Sequence, residues 1–147
     1  MKAFLVALLA LTCAFAQAGE LIVHGPSVHS AYNTDQLSVK QGVAIITKRY
    51  DNRNYGIGYR TTDGYLFGVY NNSYSRPAAY FGRQFMFNSY VGAFAAVATG
   101  YNNVSGYPLG GLVVRIPLTG RTSLELMGSP KLGKIDGLLH AAIAYKF

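Results

Sequence analysis

Residues 139–147, LHAAIAYKF, decide the fold. Leu139, Ala141, Ile143, Tyr145 and Phe147 alternate with His140, Ala142, Ala144 and Lys146, a period of two that predicts a strand with one apolar face. The stretch stops on an aromatic carboxyl terminus. Bacterial outer-membrane barrels end this way, because the last strand faces lipid on one side and closes against the first. The competing reading is an edge strand of a periplasmic sandwich. What separates the two is whether the remaining chain supplies seven more strands with barrel-like connections.

At the other end, Lys2, the apolar run Ala3 to Ala16 and the small-residue sequence Ala16-Gln17-Ala18 predict a secretory signal peptide over 1–18 and a barrel domain over 19–147. Cys13, the chain's single cysteine, lies inside the signal after Leu11 and Thr12, a poor lipoprotein cleavage site. The exported domain therefore has no disulfide and no thiolate chemistry. No later stretch approaches the roughly 18 to 20 apolar residues of a spanning helix. Thirteen Lys and Arg face six Asp and Glu, for a formal net charge of +7, and loss of Lys2 with the signal lowers it by one. The surplus favours anionic surfaces. Phosphorylated lipid head groups are the expected anion, and nucleic acid is not a partner, because the chain is exported and its basic residues are scattered. Seventeen Gly, 12 Tyr and 8 Phe without Trp suit a barrel with aromatic girdles and a narrow lumen.

In chain order, Glu20 to Tyr32 is the first predicted strand, interrupted by Gly25 and Pro26, and Asn33 to about Tyr50 is a long polar connection. Within that connection Val43 to Thr47 is apolar and could extend a neighbouring strand. Tyr55, Ile57 and Tyr59 alternate with Gly56, Gly58 and Arg60, and Thr61 to Gly64 turns the chain into Tyr65, Phe67 and Val69, which makes a hairpin. Asn71 to Arg76 leads through Pro77 into Ala79 to Phe87, and Asn88-Ser89 turns into Val91 to Tyr101. Asn102 to Pro108 is a loop, Leu109 to Ile116 a strand, Leu118 to Arg121 a tight turn, Thr122 to Met127 a strand and Gly128 to Gly137 the last long loop. Connections alternate long and short, the asymmetry of an eight-stranded antiparallel outer-membrane barrel with both termini on the periplasmic side. Ser73, Asn72 and His29 then share the outer rim.

Those residues carry a family resemblance through most of the chain after the signal. Tyr50-Asp51-Asn52-Arg53-Asn54-Tyr55-Gly56 resembles the Tyr-Asn-Glu-Arg-Pro-Trp-Gly of outer-membrane lipid A palmitoyltransferases, and Gly68-Val69-Tyr70 resembles their Gly-Leu-Tyr. Asn72-Ser73 stands where that family has Asp-Ser. Pro77, Ala79 and Gly82 match a run whose glycine floors the acyl-chain pocket, and Tyr107-Pro108 and Pro130 lie where prolines open gaps for lipid. The resemblance implies an acyltransferase that moves a fatty acyl chain from a phospholipid to lipid A or related lipopolysaccharide, as a monomer in the outer membrane and without a cofactor. His29, Ser73 and Asn72 would be its catalytic residues, and Arg53, Tyr70, Gly82 and Pro108 would bind substrate. Asparagine orients a partner by hydrogen bonding but is no general base, so Ser73 with His29 would carry the chemistry.

His24, five residues from His29, falls on the opposite face of a regular strand, an interface position. His140 points into the lumen. No histidine or carboxylate set has metal spacing, no glycine-rich phosphate loop opens a helix, and no carboxylate pair suggests glycosidase chemistry. Arg53, Arg76, Lys131 and Lys134 lie in outer loops where they could meet lipid phosphates. Gly56, Gly58, Leu66, Gly68, Gly82 and Met86 fall on inward faces, which Arg60 and Gln84 could share. The rival function is a non-catalytic barrel, structural or phage-encoded, that modifies a host surface.

Overall fold

The computed structural model describes residues 19–29, 37–40, 43–46, 51–101, 105–130 and 137–147. The predicted signal peptide over 1–18, Tyr50, Lys131 and Lys134 lie outside them. Among the described residues ten strands run in order: β1 (Gly19–His29), β2 (Leu37–Lys40), β3 (Val43–Ile46), β4 (Gly56–Thr61), β5 (Tyr65–Asn71), β6 (Pro77–Met86), β7 (Val91–Ala98), β8 (Tyr107–Pro117), β9 (Thr122–Ser129) and β10 (Leu138–Lys146). Eight of them, β1 and β4 to β10, form a closed barrel in which every neighbouring pair is antiparallel and β10 pairs with β1. Closure gives each of these eight strands a neighbour on both sides. The apolar Val43–Ile46 does not extend a barrel strand. It pairs with Leu37–Lys40 in a two-stranded sheet of its own inside the long first connection. Pro108 lies within β8 instead of ending the preceding loop.

Alternation explains the wall. His140, Ala142 and Ala144 are buried, whereas Leu139, Ile143, Tyr145 and Phe147 are exposed, the pattern read from the terminal nonapeptide. Val23, Ile57, Val69, Phe81, Val97 and Leu112 continue the exposed apolar surface around the barrel. The Phe147 N–H donates to the Gly19 carbonyl at 3.1 Å, so the start of β1 meets the carboxyl-terminal residue on the rim that carries the short turns. Gly64 turns the chain at that rim with φ +86°, a left-handed conformation that a Cβ would oppose. Nearby, the Arg83 guanidinium lies 5.0 Å from the Tyr65 ring centroid and 4.8 Å from that of Phe85.

One irregularity redirects the first strand. His24 is opposite Ala142 while Ser27 is opposite His140, so β1 holds one more residue than β10 between these pairs. The extra residue is accommodated at Gly25-Pro26, where proline has no N–H to give to a ladder. The bulge reverses the parity of the strand, so His24 and Ser27 are both buried inside. The expectation of His24 at an outer interface is thus corrected: strict alternation fails across the bulge.

The lumen is layered. Nearest the short turns, Arg60 donates to both carboxylate oxygens of Glu125 at 2.9 and 2.8 Å and to Gln84 Oε1 at 2.7 Å, and it also pairs with Glu20. Arg115 joins the two acids, at 2.9 Å to Glu125 and 3.1 and 3.2 Å to Glu20. Two guanidinium groups and two carboxylates sum to zero charge, which is how such groups persist away from water. Above this layer Ile22, Leu66 and Ala142 pack together, with Tyr80 and Phe94 against them.

Candidate active site

β4 is short and does not reach the outer rim. Its place between β1 and the β5–β6 loop is taken by residues 51–55, held by three backbone bonds: Ser27 N–H to Asn52 O, Asp51 N–H to Ser73 O and Asn71 N–H to Tyr55 O, each 2.9 Å. This irregular segment carries Asn52 to one side of His29 and Asn54 to one side of Ser73.

Ser73 Oγ lies 2.8 Å from His29 Nε2. On the far side of the ring, His29 Nδ1 is 3.4 Å from Asn52 Oδ1. An amide oxygen only accepts, so the tautomer this arrangement favours has the proton on Nδ1 and leaves Nε2 to accept from the serine hydroxyl. Asn54 Nδ2 donates to Ser73 Oγ at 3.3 Å and to Asn71 O at 3.0 Å, and its Oδ1 accepts from Ser27 Oγ. Ser73 is buried. His29 and Ser73, read from the sequence, are therefore brought together. Asn72 is adjacent in sequence, but its side chain does other work. Its Oδ1 accepts from the Tyr74 and Arg76 N–H groups at 3.0 and 3.2 Å, and its Nδ2 donates to Gly100 O at 2.8 Å. Asn72 shapes the loop that presents Ser73, and the amide facing the histidine belongs to Asn52.

Beneath Ser73 a cavity descends into the barrel. Its upper wall includes Tyr70, Tyr101 and Leu109, and its lower part Ile22, Leu66 and Phe94. The charged layer lies below, so the cavity is blind. Tyr70 Oη is 2.8 Å from Tyr101 Oη, and Tyr101 stacks on Tyr107 with ring centroids 4.5 Å apart. Burial pushes the Tyr101 hydroxyl above the ordinary tyrosine range, with the bond to Tyr70 opposing, so it stays protonated at the mouth. Gly82 is paired with Leu66 on one side and Ala96 on the other, both of which line the cavity. A Cβ on Gly82 would collide with the Ala95 carbonyl and Ala96, so its hydrogen serves the close approach of β6 and β7. Arg53 is exposed on the outer segment, where its N–H donates to Asp51 Oδ1 at 2.9 Å. The Asp51 carboxyl, which also accepts from Ser75 Oγ at 2.8 Å, is held below its ordinary value of 3.8, first by the Arg53 N–H and then by the Ser75 hydroxyl. Pro108 is exposed and opposite Val97 on β7, whereas the β8–β9 ladder begins only at Leu112 opposite Gly128. Residues 107–111 thus have a ladder on one side alone.

Asn54 is buried and shares the parity of Gly56, Gly58 and Arg60, a signal that marks it as inward, whereas Asn52 is exposed on the rim, where that signal does not apply. No group of three or more metal-ligating side chains occurs among the described residues. Family models and curated proteins compared with the chain give no match.

Proposed function

We propose that the chain is an outer-membrane acyltransferase that moves a fatty acyl chain from a phospholipid to lipid A or a related envelope lipid. The observation that carries this reading is the Ser73–His29–Asn52 array at the mouth of a blind, largely apolar cavity. An apolar cavity selects a hydrocarbon tail, and a hydroxyl with a base at its mouth selects the ester at the end of that tail.

In this reading Ser73 Oγ attacks the acyl carbonyl as His29 Nε2 takes its proton. A carbon–oxygen bond forms to Ser73, and the departing lysophospholipid alkoxide receives that proton from His29. An acceptor hydroxyl then attacks the acyl-serine, its proton passes to His29, and Ser73 leaves with the proton returned. Asn52 keeps the imidazole in the required tautomer, the role of the third member in hydroxyl and thiol triads. Asn54 Nδ2, already on Ser73 Oγ, is placed to meet negative charge developing on the substrate carbonyl oxygen. The exposed apolar wall of alternate strand residues, on a sheet closed into a barrel, supports location in a bilayer, where open sheet edges are not tolerated. The purely structural rival gives no reason for a base on a buried serine above an apolar cavity.

The test is expression in a host lacking its own lipid A palmitoyltransferase, with mass spectrometry of envelope lipids. One acyl chain's mass should appear on the acceptor. Ser73→Ala and His29→Ala should remove it by a factor of about 10²–10⁴ while the barrel stays folded, and Asn52→Ala should lower it further than Asn72→Asp does. A folded, membrane-inserted wild-type protein that leaves every lipid unchanged overturns the reading in favour of the structural barrel.

A further inference from the structure

Part-way down the cavity its wall stops being apolar. His24 Nδ1 lies 3.0 Å from His140 Nε2, and His24 Nε2 lies 2.8 Å from Tyr80 Oη, with all three side chains lining the cavity. Two imidazole nitrogens in contact share a single N–H, so the chain of three groups is internally ordered, donor to acceptor, in one direction or the other. Both ring nitrogens of His24 are thereby used. His140 is left with Nδ1, which has no hydrogen-bond partner among the described residues although the residue is only 9 % exposed. Buried polar atoms are nearly always satisfied, and an orphan on the wall of a ligand cavity points to a polar atom of the ligand.

We propose that this station binds a hydroxyl carried on the acyl chain itself, so that the preferred substrate is a hydroxylated fatty acyl group and not a plain saturated one. A hydroxyl fits because it both donates and accepts, and so satisfies His140 Nδ1 whichever way the Tyr80–His24–His140 chain is ordered. A ketone satisfies only one direction. A carboxylate would bring an uncompensated charge among Ile22, Leu66 and Phe94. The register also sets the position along the chain. His29 is opposite Leu138 and Ser27 is opposite His140, so His140 sits two strand residues below the catalytic histidine, about 7 Å along the strand. The hydroxyl therefore belongs near the carboxyl end of the chain, not near its methyl end.

This inference rests on the cavity being an acyl-chain site but not on the chemistry at Ser73, and a binding assay separates the two. The refolded barrel in detergent micelles is loaded with a fluorescent fatty acid, which is displaced by hexadecanoate and by each of its positional hydroxy isomers. One isomer hydroxylated near the carboxylate should displace the probe several-fold better than hexadecanoate, up to about ten-fold, the gain of one neutral hydrogen bond. Isomers hydroxylated toward the methyl end should be worse than hexadecanoate. His140→Leu should erase the preference and leave hexadecanoate binding equal or improved. If no isomer exceeds hexadecanoate in the wild type, the station is filled by water and the proposal is overturned, whatever the variant does. Failure of both hexadecanoate and all isomers to displace the probe overturns the chain-site reading as well.

Discussion

At neutral pH the Asp51 carboxylate accepts the Arg53 N–H and the Ser75 hydroxyl, while its own N–H donates to the carbonyl of Ser73. One residue thus ties the segment bearing Asn52 and Asn54 to the loop bearing Ser73. Because these bonds favour the charged form, the folded value lies below 3.8. A depressed carboxyl contributes stability that is complete above the unfolded value and is lost as pH falls through the folded one. The order of the rim should accordingly be insensitive to pH from neutrality down to the ordinary carboxylate range and should loosen only in stronger acid. Amide hydrogen exchange of residues 51–55 and 72–76 across that range checks it: Asp51→Asn should remove the acid step, and an identical step in the variant would show that another group is responsible. At this scale the sequence put Ser73 and His29 on one rim, where the structure brings them into contact, but gave the amide beside them as Asn72, one residue before the serine, whereas the amide facing His29 is that of Asn52. Adjacency in sequence misled, because Asn72 turns its amide back onto its own loop, as asparagine commonly does in turns. Asn52 reaches His29 only through backbone bonds to β1 that no local pattern announces.

The Gly25-Pro26 bulge is the element on which the site depends. Below it β1 presents His24 and Ile22 to the lumen, and above it Ser27 faces inward in the same way. Deleting Gly25 would restore strict alternation, and the residues above the bulge would exchange faces relative to those below. Deletion should abolish acyl transfer as completely as Ser73→Ala, whereas Pro26→Ala, which keeps the residue count, should retain it. Lipid mass spectrometry with a heat-modifiability gel for folding checks both, and a deletion variant that is folded and active would show that the bulge does not set the face. The strands themselves were legible, since hairpin turns such as Thr61 to Gly64 and the alternation of β10 are local signals. The bulge was visible as a glycine and a proline inside a strand. Its effect on parity was not, because that depends on how many residues β10 holds opposite it.

Across the whole molecule, the alternation of long and short connections was enough to give eight strands and a shared rim, because antiparallel neighbours must turn at opposite ends. The charged layer escaped that reading: Glu20, Arg60, Arg115 and Glu125 are distant in sequence and meet only when the barrel closes. Glu125 is fully buried between two guanidinium groups. Glu125→Ala should destabilise the barrel by about 3–5 kcal/mol, since it leaves like charges facing each other without solvent, while Asp63→Ala in the exposed turn should change stability by less than about 0.5 kcal/mol. Urea unfolding of the refolded proteins in micelles measures both, and equal midpoints would mean that the layer contributes no more than a surface pair. The layer has an electrical side too. Its charges cancel, and Ile22, Leu66 and Ala142 seal it from the cavity above. Ions therefore find neither a wet path nor a net fixed charge to lead them through. Set in a bilayer under voltage, the barrel should act as an insulator, passing no more current than the bare lipid.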